Sequence, residues 1–123
     1  MKPFNPEWSD APEVMVLPKV YHVAPPLLRD TIRQSGLTPQ QGNCHDSYEY
    51  PAAIFICNVP DIKHPEMFDS TWDDDVWEID TSKIDNIFFQ DINFTTEHYC
   101  FTLKEIPVTA LTLIKEGTGE DTF

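Results

Sequence analysis

A short apolar segment that carries a single histidine is the part of this sequence best suited to chemistry. Val20-Tyr21-His22-Val23-Ala24-Pro25 precedes an amphipathic run that stops at Gly36. His22 therefore lies where a predicted strand passes into a helix, a position that holds a side chain rigidly at the rim of a cleft. A neutral imidazole offers one hydrogen-bond donor and one acceptor, which suits a diol. The alternative is a histidine whose hydrogen bonds are satisfied at a strand end.

Other side chains carry metal-binding atoms, but their spacing does not match a metal site. The zinc-competent residues include no Cys-x2-Cys pair, so we predict no metal site. They are Cys44, His45, Cys57, His64, His98 and Cys100. The acidic run at 73–75 could bind a hard cation, but no glycine-containing calcium loop surrounds it, so a solvated turn is the preferred interpretation. The sequence also contains no phosphate-binding loop and no Gly-x-Ser-x-Gly motif.

The pattern of apolar residues predicts the elements that would position His22. We predict a strand at about Lys19–Ala24, a helix opened by Pro25-Pro26, and a helix stop at Gly36. Further strands are predicted at 51–58, 76–80, 84–89, 98–103 and the second half of 106–114. The segment from Thr38 to Asn43 is predicted to be a loop. This order predicts an α+β domain with one principal helix on a mostly antiparallel sheet.

Charge limits the partners that this protein can bind directly. The chain has 21 acidic and 8 basic residues and a net charge of −13. Such a surface repels nucleic acids and anionic membranes. The charge could simply maintain solubility, attract a basic protein partner, or mimic a nucleic acid and thereby inhibit a nucleic-acid-binding protein.

Cysteine usage and the first residues indicate the compartment. Three cysteines and no apolar leader argue against a disulfide framework, and we expect a reducing cytoplasm. No window is apolar enough to span a membrane. We divide the chain into an extended arm at 1–13, a single domain at 14–114 and a flexible tail at 115–123.

Four sequence motifs, the first and the last each in two parts, occur in an order that resembles a known superfamily. They are Tyr21-His22-Val23-Ala24, Gly36-Leu37-Thr38-Pro39, Tyr50-Pro51-Ala52, Val76-Trp77-Glu78-Ile79-Asp80, and Glu97-His98-Tyr99 followed by Ile106-Pro107. This order resembles the ADP-ribosyltransferase fold, in the His-Tyr-Glu branch that includes diphtheria toxin and the poly-ADP-ribose polymerases. The resemblance covers about residues 19–114. It implies a split sheet, with NAD as a substrate bound between the two halves.

The resemblance also implies a role for each candidate residue. His22, with Tyr21 beside it, would hold the nicotinamide ribose, and Tyr50 or Tyr48 would stack on the nicotinamide ring. Glu97 would stabilise the positive charge that develops as nicotinamide leaves. Glu105 is a rival for that role. ADP-ribose would pass to a macromolecular acceptor, for which we expect a protein.

Two arginines and one alanine allow more than one interpretation of the site. Arg29 and Arg33 lie one turn apart on the predicted helix and could bind a pyrophosphate, or they could pair with carboxylates of the same chain. In the family that this chain resembles, a threonine or serine at the position of Ala24 commonly helps to bind the ribose. A non-catalytic module of the same fold, which binds a nucleotide or a protein, is therefore an alternative to a transferase.

Overall fold

The computed structural model describes residues 10–41, 52–60, 73–91 and 96–119. These residues form eight strands, one α-helix and three 3₁₀ turns. The strands are β1 (Glu13–Val14), β2 (Lys19–Ala24), β3 (Gln40–Gln41), β4 (Ala52–Cys57), β5 (Asp75–Asp80), β6 (Phe88–Gln90), β7 (Tyr99–Thr102) and β8 (Leu111–Lys115). The helix is α1 (Arg29–Ser35), and the 3₁₀ turns are Pro26–Leu28, Thr81–Lys83 and Val108–Ala110.

The strand-to-helix unit forms where the sequence predicts it. The β-branched residues Val20 and Val23 favour the extended backbone of β2. Pro25 keeps an extended conformation, with φ −65° and ψ 145°, and Pro26 opens the 3₁₀ turn that leads into α1. A proline is tolerated there because the first turn of a helix has no internal partner for its N–H groups. The prediction of a strand at Lys19–Ala24 is confirmed.

Gly36 ends α1 and lets the chain pass close to a distant turn. Its φ of 73° lies in the left-handed region that favours glycine. A Cβ at this position would lie 2.3 Å from the carbonyl oxygen of Ile106, so the backbones could not approach as they do. Leu37 and Ile106 exchange two backbone hydrogen bonds of 2.9 Å each. The predicted helix stop at Gly36 is therefore confirmed, and it joins the helix to the Ile106-Pro107 turn.

Seven of the strands form one sheet in the order β1-β6-β7-β4-β2-β5-β8, and β3 pairs with β4 outside this order. Every pairing among them is antiparallel. The described residues therefore form an α+β fold with a mostly antiparallel sheet and one short α-helix. The sheet is weakest at its centre, because β2 and β4 share only the pair Tyr21–Cys57, whereas β2 and β5 pair along their whole length.

The two faces of the sheet bury separate groups of apolar side chains. The face under α1 carries the largest cluster, which includes Val20, Ile79 and Ile32 of the helix. Val20 and Ile79 are 0% exposed, and burial of such a side chain stabilises the fold by about 1.5–3 kcal/mol. The opposite face buries Tyr21 with Val76 in one cluster, and a second cluster forms around Phe101.

Three segments differ from the prediction. Only Phe88–Gln90 forms a strand in the segment predicted at 84–89. Asn86 explains the shorter strand, because its side-chain amide donates to the carbonyl oxygen of Lys104 at 2.8 Å instead of leaving the backbone to extend a ladder. The strands β1 and β3 were not predicted, and each has only two residues.

The structure also describes part of the predicted N-terminal arm and part of the predicted C-terminal tail. Glu13 pairs with Phe89, and the carbonyl oxygen of Pro12 accepts a hydrogen bond of 2.8 Å from the backbone N–H of Gln90. Lys115 is the last residue of β8. Regular sheet pairing therefore extends into the segments predicted as an arm and a tail. None of the described helices is long and apolar enough to cross a membrane.

Candidate functional site

His22 bridges the weak joint at the centre of the sheet. Its Nδ1 lies 2.7 Å from the carbonyl oxygen of Phe55 in β4. A carbonyl oxygen only accepts, so Nδ1 carries the proton and donates, and this leaves Nε2 as an acceptor. The imidazole thus joins β2 to β4 next to their single pair, Tyr21–Cys57.

The surroundings of His22 favour the neutral ring. Burial lowers the pKa of His22 from its usual value of 6.5, and the hydrogen bond to Phe55 offsets only part of that effect. The imidazole is therefore uncharged at neutral pH. A neutral ring with Nδ1 already bound can accept a hydrogen bond from a ligand hydroxyl through Nε2.

Tyr21 lies on the opposite face of the sheet from His22, as alternation along a strand requires. It is 5% exposed and packs with Val59 and Val76. The structure therefore does not bring Tyr21 and His22 together on one surface, although they are neighbours in the sequence.

Arg29 forms an ion pair with a carboxylate buried under the start of α1. Its Nε donates to Asp75 Oδ2 at 2.8 Å, and its Nη2 donates to Asp75 Oδ1 at 2.7 Å. A third hydrogen bond, of 3.1 Å, goes from Nη2 to the carbonyl oxygen of Gly117. The Arg29 guanidinium holds the pKa of Asp75 below its usual range, and this effect exceeds the cost of burial. Arg29 is thus paired within the chain, as the alternative to anion binding predicted.

The acidic run at 73–75, whose last residue begins β5, is partly buried. Asp75 is 0% exposed. Asp73 accepts hydrogen bonds from Lys115 Nζ at 2.7 Å and from the backbone N–H of Thr118 at 3.1 Å. These contacts lower the pKa of Asp73. The interpretation of 73–75 as a solvated turn was wrong for Asp75, because hydrogen bonds from Arg29 and from the backbone N–H of Gly117, both distant in sequence, offset the cost of its burial. Sequence spacing does not reveal these partners.

Arg33 is paired less completely than Arg29. Its Nη2 lies 3.4 Å from a carboxylate oxygen of Glu116, and its Nη1 lies 3.8 Å from Asp30. Half of the Arg33 side chain is exposed, and Glu116 is 61% exposed. Solvent screens such a pair, so Arg33 can exchange Glu116 for another anion at little cost. Of the two predicted pyrophosphate contacts, Arg33 is the more available.

Glu97 lies in the turn before β7 and is exposed. Its carbonyl oxygen accepts hydrogen bonds from Asn58 Nδ2 at 3.2 Å and from Cys100 Sγ at 3.1 Å. The Oδ1 atom of Asn58 accepts from the backbone N–H of Leu17 at 2.9 Å, which attaches this turn to the chain just before β2. Asn58 was not identified from the sequence, and no sequence pattern indicates its partners.

The register shows that the structure does not bring Glu97 directly against His22. Tyr21, Cys57 and Tyr99 lie in one row across β2, β4 and β7. His22 follows that row toward the end of β2 that leads to α1, whereas Glu97 precedes it toward the other end. The two predicted catalytic residues therefore lie on opposite sides of this row.

Two predicted site residues and three zinc-competent residues fall outside the described ranges. These are Tyr48 and Tyr50, as well as the zinc-competent residues Cys44, His45 and His64. Among the residues that the structure does describe, no group of three or more histidine, cysteine or acidic side chains could hold a metal ion. Cys100 is buried, which raises the pKa of its thiol to about 12, so it is not a reactive thiolate.

Comparison with known proteins gives no relative. No protein-family model, no curated protein and no solved structure matches this chain.

Proposed function

We propose that this chain has an ADP-ribosyltransferase-like fold, binds NAD, and transfers ADP-ribose to a macromolecular acceptor, with a protein as the expected acceptor. The observation that carries this proposal is the His22 imidazole at the weak joint between β2 and β4. A ligand that enters there has few backbone hydrogen bonds to displace. It also meets a neutral ring whose remaining nitrogen accepts a hydrogen bond.

In this proposal His22 holds the nicotinamide ribose and Tyr50 or Tyr48 stacks on the nicotinamide ring. His22 suits its role because the bond from Nδ1 to Phe55 fixes both the tautomer and the orientation of the ring. Arg33 supports the negatively charged pyrophosphate by releasing its exposed partner Glu116. Arg29 contributes less to anion binding because Asp75 and Gly117 occupy its Nε and Nη2 donors, whereas its Nη1 lies 4.0 Å from Glu116.

Glu97 is the candidate for stabilising positive charge on the ribose. In the transfer, the bond between ribose C1′ and nicotinamide breaks, nicotinamide keeps the electron pair, and an acceptor atom bonds to C1′ as its proton passes to solvent. A fixed carboxylate lowers the energy of the cationic transition state. Glu97 is exposed, which suits contact with a large acceptor.

A second candidate function is nucleotide binding without chemistry. The position of Glu97, on the far side of the Tyr21–Cys57–Tyr99 row from His22, favours it. Ala24, which offers no hydroxyl beside His22, favours it as well. This protein would then bind NAD or ADP-ribose as a recognition module.

Nicotinamide release and mass-spectrometric detection of ADP-ribose adducts separate the two candidates. We expect wild-type protein incubated with NAD and a cell lysate to release nicotinamide and to modify a protein. Glu97→Gln should slow this release by about 100-fold. Glu13→Gln, which changes an exposed glutamate of β1, is the matched control and should retain activity, and Glu105→Gln tests the rival for the catalytic role.

The outcomes of this experiment distinguish the candidates clearly. Calorimetric binding of NAD without turnover by the wild type supports the recognition module. Equal turnover by wild type and Glu97→Gln removes Glu97 from the mechanism. Absence of both binding and turnover contradicts the proposed function.

A further inference from the structure

Within the described residues, Trp77 carries a buried hydrogen-bond donor without an acceptor. The side chain belongs to the large cluster under α1, and the residue is 3% exposed. Its indole Nε1–H is enclosed and makes no hydrogen bond within the described part of the chain. Buried donors are nearly always paired in folded proteins, so an unpaired one requires an explanation.

The position of Trp77 connects this donor with His22. Trp77 in β5 is directly opposite His22 in β2. Directly opposite residues on antiparallel strands project from the same face, with Cβ atoms about 5 Å apart. The Nδ1 atom of His22 is hydrogen-bonded to Phe55 in β4, the strand that flanks β2 on the side opposite β5. Its Nε2 atom is the ring nitrogen that this bond leaves available.

The two atoms form a complementary pair. Trp77 Nε1 can only donate a hydrogen bond, and the neutral His22 Nε2 can only accept one. A hydroxyl group satisfies both atoms at once because it accepts one hydrogen bond and donates another. A carboxylate cannot donate to His22, and an ammonium group cannot accept from Trp77. Among the single polar atoms of a nucleotide, a hydroxyl oxygen is the one that can bond to both.

We propose that Trp77 and His22 together bind one ribose hydroxyl of NAD, with Trp77 donating to its oxygen and His22 accepting its proton. This inference rests on the proposed function and adds Trp77 as a binding residue. Because the indole nitrogen is enclosed in the free protein, binding has to move the side chains that cover it.

Calorimetry with NAD analogues tests this assignment. The probes are NAD and its two analogues that lack the 2′- or the 3′-hydroxyl of the nicotinamide ribose. We expect Trp77→Phe to bind NAD about tenfold more weakly than the wild type does. For one of the two analogues, wild type and Trp77→Phe should bind equally, because the group that Trp77 contacts is missing. Ile79→Val, a change in the same buried cluster, is the control for general destabilisation and should bind all three probes as the wild type does.

A second measurement uses wild-type protein and needs no substitution in the buried core. The indole ¹⁵N–H resonance of Trp77, in wild-type protein labelled at tryptophan, should shift on addition of NAD and stay unchanged with the analogue. The inference fails, and the proposed function stands, if the wild type binds NAD and Trp77→Phe binds it with the same affinity. The same holds if the substitution lowers the affinity for NAD and for both analogues by the same factor. If wild type does not bind NAD, both are overturned.

Discussion

Replacing Asp75 with asparagine should lower the free energy of unfolding by about 3 kcal/mol. The carboxylate is 0% exposed and accepts hydrogen bonds from Arg29 Nε at 2.8 Å, Arg29 Nη2 at 2.7 Å and the N–H of Gly117 at 2.8 Å. Asparagine keeps one accepting oxygen, but its NH₂ group then faces a donor of Arg29. Disruption of a buried ion pair costs about 3–5 kcal/mol. The low end applies because Arg29 is 24% exposed and regains some hydration.

Urea and thermal unfolding followed by circular dichroism at pH 7 measure this effect. For a domain of this size we expect the Tm to fall by about 10 °C. Asp85→Asn is the matched control, because it makes the same change in an ion pair with Lys104 whose carboxylate is 81% exposed. It should leave the Tm unchanged within error. Equal decreases in Tm for the two variants would show that the burial of Asp75 does not set the size of the effect.

The pH dependence provides a second check on Asp75. Its pKa in the folded protein is lowered from the usual 3.8, chiefly by the hydrogen bond from Arg29. A carboxyl group with a depressed folded-state pKa contributes stability that is complete above its unfolded pKa and is lost as pH falls through the folded value. The stability difference between wild type and Asp75→Asn should therefore be constant from pH 7 to about pH 5 and shrink below pH 4.

Three further predictions concern other positions. Gly117→Ala should destabilise the protein by about 2 kcal/mol in urea unfolding, because a Cβ would lie 2.1 Å from the carbonyl oxygen of Asp73; an unchanged midpoint would contradict this packing. Asn58→Ala leaves the N–H of Leu17 without its acceptor and should cost about 2 kcal/mol in the same assay. His22 should titrate by NMR below its usual pKa of 6.5. Because its folded-state pKa is depressed, the unfolded chain takes up the proton first, so stability should fall as pH drops below about 6.5, and His22→Gln should remove that part of the dependence.

Local sequence signals were sufficient to predict the strand-to-helix unit. The apolar β-branched run of β2, the prolines at the start of the turn and Gly36 at the end of α1 act within a few residues of one another. The prediction of an α+β domain with a mostly antiparallel sheet followed from the order of such units. The structure confirms that coarse description.

Contacts between residues far apart in sequence could not be predicted. Asp75 sits in a run of three acids, which normally indicates solvent exposure, and its partner Arg29 is 46 residues away. The Asn58 side chain binds Leu17, which is 41 residues away, and thereby sets the position of the Glu97 turn. Only the paired register of β2, β4 and β7 reveals that Glu97 and His22 lie on opposite sides of one row.

The proposed function requires His22 to accept a hydrogen bond from bound NAD. Titration of ¹⁵N-histidine-labelled protein with NAD, followed through both ring nitrogens of His22, measures that bond directly. We expect the Nε2 resonance to shift until the binding site is saturated, while the Nδ1 resonance, whose N–H is held by Phe55, stays nearly constant. An Nε2 resonance that remains unchanged at millimolar NAD would show that His22 accepts no hydrogen bond from NAD.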